Sequence, residues 1–279
     1  MSRVLLLLLL ATPTLAEEPA ARLRKAQEFH RRAQERTGVL VPLYVYPADV
    51  HKNAVYNRLM AVKRRYETVP MWVIINPASG PGNDVDANYT KAIDRLVGAG
   101  CVVLGYVSTA YGKRLAGDVT TDIDRWQQMY PRAQGIFFDE MIYEDKEAAV
   151  SHQVALTKHA HAAGYWPTVA NPGAETPGRY FAAEAADVIV VHEGNAWPKE
   201  ERLKGDYFGG YSDYPPFTRA VLVHSQEKLD KPALQMARQY AKWVYVTEGV
   251  FRANDPKAAN PWAVLSKHLE ETCEVLGGK

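Results

Sequence analysis

What most constrains this chain is a repeated alternation of two hydrophobic periods. From residue 38 onward, eight short runs of Val, Ile, Leu and aromatic residues recur, each stopped by Pro, Gly, Asn or an acid. They cover residues 39–46, 71–76, 101–108, 135–140, 165–171, 187–193, 219–225 and 243–248. Most are continuously apolar, the pattern of a strand buried on both faces in a parallel sheet, since one-sided strands alternate with polar residues. Between them lie stretches of helical period. Tyr89, Ile93, Leu96 and Val97 make one stripe, Val119, Ile123, Trp126 and Tyr130 a second, and Trp262, Leu265, Leu269, Cys273 and Leu276 a third. Residues 55–66, 146–163 and 232–242 read as further helices, the last opened by Pro232, whose missing N–H costs little in a first turn. The intervals 177–185 and 195–218 are weaker, the first short and the second mostly loop.

Eight such units fit a single closed (β/α)8 TIM barrel, whose typical length is about 250 residues. A doubly wound open sheet is the alternative. The 279 residues, 47% of them hydrophobic, suffice for a core of that size.

The N-terminus carries an address. Arg3 precedes an apolar run over residues 4–10, and small residues close the stretch at Thr14 and Ala16 before Glu17 and Glu18. Residues 1–16 are expected to be a cleaved secretory signal, too short to span ~30 Å of hydrocarbon, which takes about 20 helical residues. Residues 17–37 read as a weakly amphipathic leader helix or a tether, and 38–279 as the barrel. The mature protein is expected outside the cytoplasm, secreted or periplasmic, as a monomer with no membrane segment. Without residues 1–16, 32 basic face 32 acidic residues, so no clustered basic excess invites nucleic acid. Two cysteines, Cys101 and Cys273, are too few for a disulfide scaffold. Their positions suggest the bottom of the barrel in different sectors of its wall, without a disulfide. No Cys/His spacing suggests a metal, and no cofactor is implied. His159 and His161, two apart on a helix, cannot share one.

In such a barrel the active site lies at the C-terminal strand ends. Those ends carry Tyr44, Asn76, Tyr106, Ser108, Asp139, Glu140, Asn171, His192, Glu193, His224 and Glu248, polar groups that are costly to bury without partners. The run Phe137-Phe138-Asp139-Glu140 is the sharpest feature. Alternation sends its two acids to opposite sides unless a bend intervenes, and Asp139 shares its side with Phe137. Glu193 sits two strands further round. Two carboxyls facing each other across one cleft form the glycosidase arrangement, in which one acid protonates the leaving oxygen while the other attacks or activates water. An acid at a strand end can equally cap a helix or pair with Arg. For Glu248, substrate contact and ion pair are both open. Aromatics at Trp197, Tyr207, Phe208, Tyr211, Tyr214 and Phe217 follow Glu193 and read either as a sugar platform or as a small core of their loop. His224 is a candidate substrate ligand or a satisfied rim histidine.

Several of these segments carry a resemblance. Pro42-Leu43-Tyr44-Val45-Tyr46-Pro47, Val73-Ile74-Ile75-Asn76-Pro77, Ser79-Gly80-Pro81-Gly82, Leu104-Gly105-Tyr106-Val107-Ser108-Thr109, Tyr111-Gly112, Asp122-Ile123-Asp124 with Trp126, Gly135-Ile136-Phe137-Phe138-Asp139-Glu140, Asn171-Pro172-Gly173 and Glu193 together resemble the spherulation-specific family 4 (spherulin-4-like) proteins. That group of TIM-barrel glycoside hydrolases includes Sph3-type enzymes. The resemblance implies endo-cleavage, without metal, of α-1,4-linked galactosamine or N-acetylgalactosamine polysaccharide. It implies Asp139 as nucleophile and Glu193 as general acid/base of a retaining mechanism, with Glu140 an accompanying acid. Tyr44, Asn76, Tyr106, Ser108, Asn171, Trp197, His224 and Glu248 are the candidate substrate-binding residues. On this reading Asp139 keeps polar donors from Tyr44, Asn76 or Tyr106 and stays ionised, while Glu193 sits in a less polar setting with a raised pKa. The carboxyls are expected ~5 to 6 Å apart; ~7 to 9 Å would mean inversion. The rival class is a non-catalytic polysaccharide-binding surface or coat protein of the spherulin type.

Overall fold

The computed structural model of the chain describes Arg24, Glu28 and residues 36–204, 213–252, 254–255 and 260–277. The signal, nearly all of the leader, and Tyr207, Phe208 and Tyr211 lie outside the described residues. Eight parallel strands close into one barrel in chain order: β1 (Gly38–Leu43), β2 (Met71–Ile75), β3 (Val102–Ser108), β4 (Gly135–Asp139), β5 (Thr168–Asn171), β6 (Val188–Gly194), β7 (Arg219–Val223) and β8 (Trp243–Val246). Closure runs through Gly38 opposite Trp243 and Val39 opposite Val244. The helices are α1 (Ala54–Arg65), α2 (Ala87–Gly98), α3 (Ala116–Met129), α4 (Glu147–Ala162), α5 (Gly178–Ala182), α6 (Glu200–Leu203), α7 (Lys231–Tyr240) and α8 (Leu269–Gly277). The open-sheet alternative is thereby set aside. Among the described residues no helix is long and apolar enough to cross a membrane.

Capping explains several helix starts. Asn53, Asp86 and Asp230 accept backbone N–H groups at the entries of α1, α2 and α7, satisfying donors that have no partner inside the helix. The barrel floor is aromatic. Trp72 of β2 and Trp243 of β8 stack with ring centroids 3.4 Å apart, both fully buried. Gly38 is the residue that admits them, because a Cβ there would meet the Trp243 ring at 2.7 Å. Outside the barrel, Trp126 of α3 lies flat on β3, where a Cβ on Gly105 would approach its indole to 2.5 Å, and its N–H donates to the Tyr106 carbonyl at 2.9 Å.

Three expectations are corrected. Strand β1 stops at Leu43, and Tyr44 to Tyr46 belong to the loop, since the Tyr44 N–H donates to the Trp262 carbonyl instead of a neighbouring strand. Helix α8 starts at Leu269, so Trp262 and Leu265 precede it in turns, where the Asn260 side chain accepts the Trp262 N–H at 2.8 Å. The cysteines do not occupy separate sectors. Both are buried and free, and each thiol, pushed up to about 12 by burial, shares the Lys63 ammonium as a neighbour.

Candidate active site

Pairing register decides which residues of each strand face the lumen. Tyr106 pairs with Phe137, Ser108 with Asp139, and Asp139 with Asn171, so these side chains share the inner face at the top of the barrel. From Asn171 the same face runs down β5 to Val169, which pairs with Val188 of β6. Strict alternation from Val188 would turn His192 inward and Glu193 outward. An extra residue in β6 between Val190 and His192 breaks that alternation, and Glu193 then pairs with Leu222. The bulge reverses the parity and aims Glu193 into the lumen, a use of bulges familiar beside active sites.

The two acids meet through Asn171. Its Nδ2 donates to Asp139 Oδ1 at 2.9 Å and to Glu193 Oε2 at 2.6 Å. With one atom in contact with both, those two legs bound the separation of the accepting oxygens at 5.5 Å. Its own carboxamide oxygen accepts the Gly173 N–H at 3.1 Å, which fixes the amide's orientation. On its other oxygen Asp139 accepts the Tyr106 hydroxyl at 2.7 Å. Glu193 Oε1 accepts the Trp262 indole N–H at 3.1 Å. Tyr44 packs edge-on to Tyr106 with centroids 5.8 Å apart, and its hydroxyl is held well above the usual range by burial, then by the charges of Asp139, Tyr106 and Glu193.

Electrostatics depart from the sequence expectation. Asp139 is raised from 3.8 to about 6, chiefly by burial and further by the charge of Glu193, against the lowering effect of donors from Tyr106, the Glu140 backbone and Asn171. Asp139, expected to stay readily ionised among polar donors, carries a raised pKa instead. The reason is position: Asp139 ends its strand inside the barrel mouth, where desolvation outweighs three hydrogen bonds.

Strict alternation would send Glu140 away from Asp139, but the backbone bends after Asp139 and keeps both acids at the mouth. Glu140 adopts φ 55°, its carboxylate accepts the Ser108 hydroxyl at 2.6 Å, and it stays on the rim beside the pair. Asn171 joins the carboxyls, and Tyr106 and Tyr44 line them. Asn76 does not donate to Asp139; its Oδ1 accepts the Gly80 N–H at 3.2 Å and shapes the loop after β2. Glu248 makes no ion pair among the described residues and accepts the Lys267 backbone N–H at 2.9 Å. His224 contacts the Ser225 hydroxyl at 2.9 Å and the edge of Trp262 at 5.8 Å, and burial lowers its pKa. Trp197 borders a cavity of about 460 Å³ with Glu193, Lys199 and Arg202; Asp139 is not part of its wall. Tyr214 stacks on Phe181 at 5.5 Å, so that loop aromatic serves packing. His159 and His161 pair separately with Asp124 and Asp187 at 2.7 and 2.9 Å.

Trp262 is the site residue that sequence reasoning missed. Its spacing to Leu265 and Leu269 mimics the start of a helical stripe, which hides an indole aimed at the cleft. The available signal was Pro261 immediately before it, with Asn260 ahead of both, a pattern of loop entry.

A closed parallel barrel with two carboxyls sharing one amide donor at its lumenal mouth defines a TIM barrel with a paired-carboxylate site. The chain belongs to spherulation-specific family 4, whose model matches residues 38–276. It is similar to Spherulin-4 of Physarum polycephalum, 34% identical over 171 residues that make up 61% of this chain and 47% of that protein. The chain thus spans about half the length of that curated relative. Among solved structures it is similar to Aspergillus clavatus Sph3 in complex with GalNAc, with a TM-score of 0.71 and 26% identity, covering 87% of this chain and 98% of that one.

Proposed function

We propose that this protein is an exported glycoside hydrolase that cuts α-1,4-linked galactosamine/N-acetylgalactosamine polysaccharide within the chain and retains anomeric configuration. The observation that carries the reading is the Asn171 bridge. A shared donor that keeps the bridged oxygens within 5.5 Å of each other supports the close spacing of a nucleophile and its acid/base partner over the wider gap of an inverting enzyme. The similarity to a fungal protein solved with GalNAc supports the sugar class.

In the first half-reaction an Asp139 oxygen attacks the anomeric carbon while Glu193 gives its proton to the departing glycosidic oxygen. The C–O bond to the leaving sugar breaks and an ester to Asp139 forms. In the second half, Glu193 takes a proton from water, whose oxygen displaces Asp139 and regenerates the carboxylate. Both Glu193 oxygens accept N–H groups that cannot themselves accept, an arrangement suited to the ionised form that activates water. Protonated for the first half, Glu193 keeps acceptor lone pairs for both donors and has its O–H to give to the leaving oxygen. Tyr106 keeps Asp139 oriented, and Glu140 adds negative charge beside an oxocarbenium-like transition state.

The test is incubation of the pure protein and of Asp139→Asn with partially deacetylated galactosaminogalactan. Reducing ends from the parent alone, with α-anomers appearing first by NMR, support the proposal. Binding without new ends points to the polysaccharide-binding coat protein instead, and first-formed β-anomers overturn retention. Export is tested by sequencing the N-terminus of the mature protein, expected at Glu17.

A further inference from the structure

Two neighbouring strand ends hold side-chain-bearing residues in left-handed backbone. After β3 these are Ala110 (φ 48°) and Tyr111 (φ 54°); after β4 it is Glu140 (φ 55°). L residues rarely adopt this conformation, and it persists where the surroundings over-determine it, characteristically at ligand sites. Here each bend locks the other. The Glu140 carbonyl accepts the Tyr111 N–H and the Thr109 hydroxyl, both at 2.6 Å. Arg114 braces the same loop from behind, donating to the Ser108 carbonyl at 2.6 Å and to Asp122 at 2.7 Å.

The strained backbone holds an aromatic ring out in water. Tyr111 is 43% exposed and meets Tyr143, 42% exposed, edge to face with centroids 6.4 Å apart and planes at 80°. Trp72, Trp126 and Trp243 are by contrast fully buried. The pair also stands beside the reacting groups. The Tyr111 hydroxyl lies over the turn after β5, where an added Cβ on Gly173 would be 3.9 Å from it. Burial raises its pKa first, followed by the charges of Glu140, Asp139 and Glu193, so all three carboxylates are within electrostatic reach.

We propose that Tyr111 and Tyr143 form a sugar-stacking subsite at the β3–β4 edge of the cleft, which holds the pyranose ring next to the bond being cut. This rests on the polysaccharide reading above. A pyranose offers an apolar C–H face to an aromatic ring, and two rings at near right angles form a corner that fixes both its height and its tilt. Glu140, tied to Ser108, presents acceptor oxygens to hydroxyl or ammonium donors on the sugar's polar edge.

The experiment is calorimetric titration of short α-1,4-linked galactosamine/N-acetylgalactosamine oligosaccharides into the Asp139→Asn protein, which binds without turnover, alone and combined with Tyr111→Ala, Tyr143→Ala, Tyr111→Gly or Tyr111→Trp. Each alanine change is expected to weaken binding at least tenfold, and Tyr111→Trp to hold it within about threefold. Tyr111→Gly separates the ring from the fold: it relaxes the left-handed strain, so the melting temperature should hold or rise while binding falls as for alanine. Binding within twofold of the parent for Tyr111→Ala and Tyr111→Gly overturns the subsite and leaves the hydrolase reading standing. Absence of any binding to the Asp139→Asn parent overturns the polysaccharide reading, and the subsite with it.

Discussion

Replacing Asp139 by Asn should make the protein inactive and, at neutral pH, more stable. Burial raises the Asp139 pKa from 3.8 to about 6, so the folded state holds this proton more tightly than the unfolded chain does. For a raised carboxyl, the favourable contribution is fully present below the unfolded pKa and is lost as pH rises through the folded one. The window therefore runs from about pH 4 to about pH 6. At about 1.4 kcal/mol per tenfold change in affinity, the full shift corresponds to roughly 3 kcal/mol. Asp139 is half-buried, and solvent reduces the working figure to about 2 kcal/mol. Asparagine keeps the shape and removes the charge. Its carbonyl accepts from Asn171, and its N–H₂ faces the Tyr106 hydroxyl, which accepts in place of donating. Denaturant unfolding of both proteins at pH 4 and pH 7.5 measures the effect, and the difference between them cancels the titrating groups that Asp139 does not reach. The variant should match the parent at pH 4 and exceed it by about 2 kcal/mol at pH 7.5, with at least a thousandfold loss of turnover. A stability difference that does not change between the two pH values refutes the idea that desolvation at the barrel mouth sets this pKa.

Further outcomes follow from the same geometry. Since attack needs ionised Asp139, kcat/KM should fall about tenfold per pH unit below an acid limb near 6, a value belonging to the coupled pair; a limb near 4 in the pH–rate profile counts against Asp139 as nucleophile. Trp262→Phe removes one donor from Glu193 and should lower kcat about tenfold while leaving KM within a factor of two; an unchanged kcat would mean the indole only packs. Glu193→Gln should cost ~10² to 10⁴-fold in kcat with the fold intact by circular dichroism. Trp243→Ala empties half of the stacked floor and should lower unfolding free energy by about 3 to 5 kcal/mol in urea, far from the site; a loss under 1 kcal/mol would deny the stack its structural role.

Much of this protein was legible in one dimension. Short continuous apolar runs and the 3.6-residue period are local properties of consecutive residues, so the eight strands and the barrel they make could be read directly. The polar residues that end those strands could be read with them, including Asp139, Glu140, Asn171 and Glu193. What the chain by itself determined is therefore the architecture and the supply of acids at one rim. Only the tertiary structure decided how those acids are used. The extra residue between Val190 and His192 is a property of β6 relative to β7 and has no signature in either strand alone, yet it turns Glu193 toward the lumen. Trp262 reaches Glu193 across 69 positions of chain from a turn disguised as a helix face. The Asp139 pKa reflects how much water the closed barrel removes from one carboxylate. Register between strands, long-range donors and desolvation all depend on what lies beside a residue in space, and a linear pattern records only what lies beside it in the chain.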